Sequence, residues 1–176
     1  MRIPTLETER LILRPLTAAD APAVFLWASD PEVTRFMPYN TYTRVEDVEV
    51  WLRTVEKAED NYNFGFVRKA DGVLIGSGDI GFSEKMGAWE FGYNLRRDCW
   101  GRGYATEAAR EMIRFARDEL GAERFCAKHA AENLASGRVM SKCGLRYDRD
   151  DRIASLDGKR VYPARVYIAE AADTVI

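Results

Sequence analysis

The stretch with the clearest capacity for chemistry is Trp100-Gly101-Arg102-Gly103-Tyr104-Ala105-Thr106-Glu107-Ala108, which joins a β-branched and aromatic segment to the strongest helical run in the chain. A helix start exposes N–H groups that lack intrahelical partners and carries the positive end of the helix dipole. Gly101 and Gly103 let the backbone curl around an anion with no Cβ in its path. Together they form a cradle for a pyrophosphate, with Arg102 as a mobile charge at its rim. The same glycines would also allow a strand and a helix to pack closely, and the local residues leave both readings open. Two commoner phosphate motifs are excluded by spacing. A P-loop needs four residues between its glycines and a following Lys-Ser/Thr, and a dinucleotide fingerprint needs a third glycine where Thr106 stands.

The elements that must position this loop can be read from periodicity. Leu11–Leu13 forms a short strand ending before Pro15, Thr17 caps a helix running from Asp20 to Ser29, and Asp30-Pro31 stops it. A second helix spans about Val45 to Ala58, with Val48, Trp51, Leu52 and Val55 on one side. Asn63–Arg68, Val73–Phe82 and Ala88–Leu95 read as antiparallel strands separated by tight turns, a meander and not a βαβ repeat. Ala105, Ala108, Ala109, Met112, Ile113, Ala116 and Leu120 keep to one helical face, and Gly121 ends that helix. Arg124–His129 reads as a strand, Asn133–Cys143 as a helix, and Leu145–Tyr147 and Val161–Ile168 as final strands. The tail Glu170–Ile176 is expected to fray. The expected architecture is a single α+β domain over residues 1–176, with a mixed sheet and helices on its faces.

Composition narrows the class. The 176 residues are 47% apolar and 31% charged, with 26 Lys plus Arg against 28 Asp plus Glu. A net charge of −2 gives no bulk field to attract nucleic acid or an anionic membrane. Cys99, Cys126 and Cys143 form an odd set without a C-x-x-C, against both a disulfide framework and a zinc site, and a reducing cytoplasm is the expected setting. The N-terminal residues lack the apolar core of a signal peptide, and no apolar run approaches the length of about 18 residues that spanning a membrane needs. No metal is expected.

Four blocks then carry a family likeness: Thr8-Glu9-Arg10-Leu11-Ile12-Leu13-Arg14-Pro15, Phe91-Gly92-Tyr93, Trp100 to Ala108, and Asn133-Leu134-Ala135-Ser136-Gly137-Arg138-Val139-Met140-Ser141-Lys142-Cys143-Gly144-Leu145. In this order the chain resembles the GNAT superfamily of acetyl-coenzyme A-dependent N-acetyltransferases, and within it the ribosomal-protein alanine N-acetyltransferase type. The resemblance implies the GNAT fold: a mostly antiparallel central sheet of about six to seven strands with a splayed middle pair, flanked by about four helices. It implies that the strand before the glycine loop bonds the pantetheine arm, placing Tyr93 and Leu95 along the cofactor. Trp100, Gly101, Arg102, Gly103, Tyr104, Ala105 and Thr106 fall on the pyrophosphate loop, and Asn133 and Ser136 on the pantetheine site. Trp100 departs from the Gln or Arg of the general pattern and matches the alanine-acetyltransferase type.

The chemistry so implied is direct attack of an amine on a thioester, which requires an unprotonated amine, donors for the oxyanion and a proton for the thiolate. Glu90 is the expected base, since its position resembles one often acidic in the family. Ser136 is the candidate acid, because Met140 stands where other subgroups carry a Tyr. Glu107 has an ordinary role in a first helical turn, His129 reads as a partly buried strand-end residue, and Cys99 as packing. Trp27, Phe36 and Tyr39 surround the region where the superfamily builds its acceptor site. The leading acceptor is a protein N-terminal amine, whose pKa of about 7.7–8.0 demands less of a base than Lys. The alternatives are a small amine (polyamine, amino acid or aminoglycoside) and a coenzyme A-binding sensor without turnover. A monomer or a homodimer is expected.

Overall fold

The central strands divide their side chains between two faces of the sheet, with a register shift at Phe66/Val67 interrupting the alternation, and each face acquires its own core. The computed structural model describes residues 3–59 and 61–176. Its strands are Leu6–Glu7 (β1), Leu11–Pro15 (β2), Asn61–Arg68 (β3), Val73–Ser83 (β4), Ala88–Leu95 (β5), Arg124–Ala130 (β6), Arg146–Ala154 (β7) and Val161–Glu170 (β8). They form one sheet of eight strands in the order β1-β2-β3-β4-β5-β6-β8-β7. The helices are Ala21–Ala28 (α1), Pro31–Thr34 (α2), Val45–Val55 (α3), Tyr104–Leu120 (α4) and Leu134–Lys142 (α5).

On one face Phe64, Phe66, Ile80, Phe91 and Phe125 pack with Ala108, Ala109, Met112, Ile113 and Ala116 of α4, so the helical stripe seen in the sequence is the lid of the main core. A second core, on α1 and α3, gathers Val24, Trp27, Val48 and Leu52 with Leu16 and Leu74. Burying such large side chains contributes about 1.5–3 kcal/mol each, which is what fixes the helices against the sheet.

The one parallel contact in this order, β5 with β6, has only two register pairs, Trp89↔Phe125 and Glu90↔Cys126. Meanwhile β5 stays paired with β4 as far as Leu95↔Gly76, and β6 with β8 as far as Ala130↔Ala164. Above Glu90 the two strands therefore part company, each held by its outer neighbour, and leave a fork in the middle of the sheet.

Several boundaries differ from the sequence reading. The sheet has eight strands instead of six or seven, because Leu6–Glu7 adds a two-residue strand on β2. Among the described residues there are five α-helices where about four were expected, because Asp30-Pro31 does more than stop α1. The Asp30 carboxylate caps a new short helix by accepting from the Glu32 N–H at 3.0 Å. The last hairpin is longer than its apolar residues indicate, since β7 is a largely exposed, charge-rich run paired with β8 on both sides of a bulge at Asp148. The tail does not hang free. Val175 N–H donates to the Cys143 carbonyl at 3.0 Å, and the tail backbone lies so close to Gly144 that a Cβ there would collide with the Asp173 carbonyl. Among the described residues no helix is long and apolar enough to cross a membrane.

Candidate active site

The loop after β5 has two glycines in an unusual backbone conformation immediately before a helix. Gly101 has φ +73° and Gly103 φ +84°, both in the left-handed region where a Cβ is strained, and Gly103 leads directly into α4. Tyr104, Ala105 and Thr106, whose N–H groups precede the first intrahelical bond from Glu107 to Gly103, lie in the wall of the cleft beside the fork. The loop is tied down from behind: Arg10 donates from Nη1 to the Arg102 carbonyl at 3.0 Å, and the Trp100 indole donates to the Leu95 carbonyl at 3.0 Å. Arg102 itself stays exposed at the rim.

Fork and cradle enclose a cleft of about 370 Å³. Its walls include Tyr93 and Leu95 from β5, Trp100, Gly101, Gly103, Tyr104, Ala105 and Thr106 from the loop, and Asn133 and Ser136 from α5. The sequence placed all of these on the cofactor, and the fold brings them to one cavity. The Asn133 carboxamide oxygen caps α5 by accepting from the Ser136 N–H at 3.2 Å, which leaves its nitrogen pointing outward as a donor. The Ser136 hydroxyl meets the Tyr93 hydroxyl at 2.9 Å, so this serine bonds a tyrosine across the cleft and not its own helix start. Burial pushes the Tyr93 phenol far above its ordinary range, against the opposing hydrogen bond to Ser136. It stays protonated and works as a hydrogen-bonding group.

On the acceptor side the sequence reading is met unevenly. Phe36 lines the cleft, edge-on to Tyr162 at 5.9 Å between ring centroids. Tyr39 reaches Asn94, whose Nδ2 donates to its hydroxyl at 3.4 Å. Trp27 is a correction: it is 1% exposed in the second core between α1 and α3, where it packs and can touch no ligand. Glu90 sits half-buried at the last paired position of the fork and is not part of the cleft wall. His129 is buried, with Nδ1 at 2.7 Å from the Ala130 carbonyl and Nε2 against Gly137, so it is a packing residue behind α5. Cys99 is buried, and burial raises its thiol, as suits a packing residue and not a nucleophile.

The sequence reading missed two features of this side. The face of the sheet turned away from α4 is polar at the fork: Asn61, Ser77, Asp79, Glu90 and Asn94 share it, linked by Asn61 Nδ2 to Asp79 at 2.8 Å and by Ser77 Oγ to Asn94 at 3.1 Å. The signal was present as polar residues at alternate positions in otherwise apolar strands. The second feature is a seam. Arg160 donates to the Tyr39 carbonyl at 2.9 Å and to Asn40 at 3.1 Å, Leu156 N–H to the Pro38 carbonyl at 2.7 Å, Asn40 to Asp157 at 2.8 Å, and Tyr162 to the Arg35 carbonyl at 3.0 Å. The β7–β8 turn is thus stitched to segment 35–40 beside the cleft.

A sheet parted at its centre, with two left-handed glycines and a helix start beside the gap, is an arrangement suited to an elongated ligand with an anionic group at one end. The family profile described as Acetyltransferase (GNAT) domain matches residues 10–146, and the chain belongs to that family. It is 31% identical over 146 residues to the uncharacterized N-acetyltransferase p20 of Bacillus licheniformis, covering 81% of this chain and 82% of that one. It is 32% identical over 154 residues to FsC-acetyl coenzyme A-N(2)-transacetylase of Aspergillus fumigatus, covering 82% of this chain and 66% of that one. The fold matches a GNAT-family acetyltransferase from Bacillus anthracis with a TM-score of 0.85 at 24% identity, covering 96% of this chain and 99% of the other. It also matches an acetyltransferase from Agrobacterium tumefaciens with a TM-score of 0.73 at 26% identity, covering 96% and 95%. The protein is an N-acetyltransferase, and the donor its family uses is acetyl-coenzyme A. The residues present suit that donor: strained glycines at a helix N-terminus for the pyrophosphate, and for the amide-bearing arm an unpaired strand edge and the free Asn133 nitrogen.

Proposed function

We propose that this chain moves the acetyl group of acetyl-coenzyme A onto a compact primary amine, by direct attack while both substrates are bound. The cradle of Gly101, Gly103 and the first turn of α4 holds the pyrophosphate, with Arg102 at its rim. The bare edge of β5 at Tyr93 to Leu95, with Asn133 opposite, holds the arm and offers donors to the thioester oxygen. Tyr93 and Ser136, bonded to each other in the cleft wall, are the hydroxyls that would serve the thioester sulfur. A thiol has a pKa of about 8.5, so a phenol held above the ordinary value of about 10 steadies the thiolate by hydrogen bonding without surrendering its proton.

The observation that carries the acceptor class is the seam. A peptide laid across the mouth needs the space between segment 35–40 and the β7–β8 turn, and that space is closed by six hydrogen bonds. A small amine entering end-on needs none of it. The protein N-terminal amine favoured by the sequence is the competing acceptor, and it requires the seam to part. Thiol release from acetyl-coenzyme A decides between them, with spermidine, lysine and kanamycin set against an alanine-initiated pentapeptide. Faster release with a small amine supports the proposal, and release with the pentapeptide alone overturns it.

A further inference from the structure

We propose that Asp79, hydrogen-bonded to Asn61 beside the gap at Gly92, takes the proton from the acceptor's ammonium group. This rests on the reading of the reaction as direct attack by a primary amine. Strand register sets the positions of the two carboxylates. The last β5–β6 pair is Glu90↔Cys126, so Glu90 stands at the base of the fork. The next residues on its face of β5 are Gly92 and then Asn94, which lines the cleft. Asp79 lies opposite Gly92. Two residues along a strand span about 6.6–6.8 Å, so along the strand direction Asp79 stands one such step closer to Asn94 than Glu90 does, on the neighbouring strand β4; neither carboxylate is itself in the cleft wall.

The local packing leaves one oxygen of Asp79 open. Oδ2 accepts from Asn61 Nδ2 at 2.8 Å. Oδ1 has no partner among the described residues, and a Cβ on Gly92 would come within 3.2 Å of it. Glycine at that position keeps the oxygen uncovered. Asn61 suits both charge states of its neighbour: its NH₂ donates to the carboxylate, and its oxygen, buried and unpartnered among the described residues, can accept from the protonated acid once the amide turns over.

Electrostatics agree with a group that exchanges protons. Burial, opposed by the Asn61 hydrogen bond and reinforced by the charge of Glu90, pushes the Asp79 carboxyl up to about 6. The charge that bears on it is Glu90, from β5. Asn61 on β3, Ser77 on β4 and Asn94 on β5 are neutral, and Tyr39, reaching in from the loop after α2, is held protonated by burial.

The protons balance. The ammonium gives one to Asp79 and becomes the neutral nucleophile. As the C–N bond forms and the C–S bond breaks, nitrogen sheds a second, which ends on the departing thiolate. Asp79 then returns its proton to solvent.

The test uses the full chain, acetyl-coenzyme A and whichever amine of the panel releases thiol fastest. Asp79→Asn is expected to lower kcat/KM about a hundredfold at neutral pH. It should also erase the inflection near pH 6 while calorimetric affinity for acetyl-coenzyme A stays unchanged. Glu90→Gln should keep the inflection and move it to lower pH, because a like charge is removed. Gly92→Ala covers Oδ1 without changing any titratable group, and should also lower kcat/KM; it decides the matter should Asp79→Asn not fold. An inflection that survives Asp79→Asn, or one that vanishes in Glu90→Gln, overturns the assignment while leaving the transferase reading intact. A parent enzyme that releases no thiol with any amine overturns both.

Discussion

Arg10 grips Glu107 through both of its polar ends: the backbone N–H donates to Oε1 at 2.8 Å and the side-chain Nε to Oε2 at 2.6 Å. Thr8 adds its hydroxyl to Oε1 at 2.5 Å. Glu107 lies in the first turn of α4, so the segment leading into β2 is locked to the helix whose start forms the cradle. Burial resists ionisation of Glu107, yet the hydrogen bonds from Thr8 and Arg10 outweigh it and hold the carboxyl below its ordinary value. A depressed carboxyl contributes stability above its unfolded pKa of about 4.3 and loses it as pH falls through the folded value. Glu107→Gln is therefore expected to cost about 1–3 kcal/mol at neutral pH and to flatten the acid limb of the stability profile below about pH 4. Urea melts of parent and variant across pH 3–7 check this; parallel acid limbs would refute it.

The two cradle glycines differ in what surrounds them. A Cβ on Gly101 meets nothing within 4 Å, whereas one on Gly103 meets Arg10 Nη2 at 3.3 Å. Gly101→Ala should carry only the strain of a left-handed residue, about 1–2 kcal/mol. Gly103→Asp puts a carboxylate into the phosphate path and should abolish measurable coenzyme A binding with the fold retained. Calorimetry with coenzyme A and circular dichroism of both variants separate the two effects.

How much of this could be read in advance depends on how each residue signals itself. The apolar face of α4 is long enough to define its own period, so the helix, its end at Gly121 and the loop before it are legible from Ala105 to Leu120. Leu6–Glu7 is not, because two residues carry no period and the strand exists only by pairing with β2. Trp27 shows why a neighbourhood is not a site: the resemblance put it near the acceptor region, and only its packing between α1 and α3 reveals that it belongs to the core. Glu90 drew attention through family position, while Asp79, whose burial and partner come from two neighbouring strands, looked like any polar residue in a strand. Cooperation between residues far apart in sequence is what periodicity cannot encode.

Gly137 is the contact point between α5 and β6. A Cβ there would come within 2.8 Å of His129 Nε2, so Gly137→Ala must push the helix off the sheet and is expected to cost about 1–3 kcal/mol. Ser136 would move with it, and kcat should fall more than cofactor affinity. Thermal melts together with steady-state kinetics test this.

His129 makes stability depend on pH near neutrality. Burial lowers its pKa below 6.5, against the Ala130 hydrogen bond and with help from Arg165. The unfolded chain therefore takes up the proton first as pH falls, so this contribution is full above about 6.5 and declines below it. The stability ratio of parent to His129→Gln should drop between about pH 7 and 5 in denaturant titrations; a constant ratio would rule this out.

Arg160 tests the seam. Its guanidinium donates to the Tyr39 carbonyl and to Asn40, both beside the acceptor side of the fork. Arg160→Ala should free segment 35–40, raise KM for a small amine several-fold and improve any activity toward the pentapeptide, with acetyl-coenzyme A affinity unchanged. Equal KM values for both acceptors in parent and variant would show that the seam does not select.

Trp89↔Phe125 and Glu90↔Cys126 are the whole of the direct ladder between the two halves of the sheet. A donor arm laid along β5 would act as a stand-in strand, completing on one flank a ladder that the polypeptide leaves unfinished. Substrate then becomes part of the architecture: loading it should slow amide hydrogen exchange from Tyr93 to Leu95 and brace the halves against each other, and release after turnover should slacken them again.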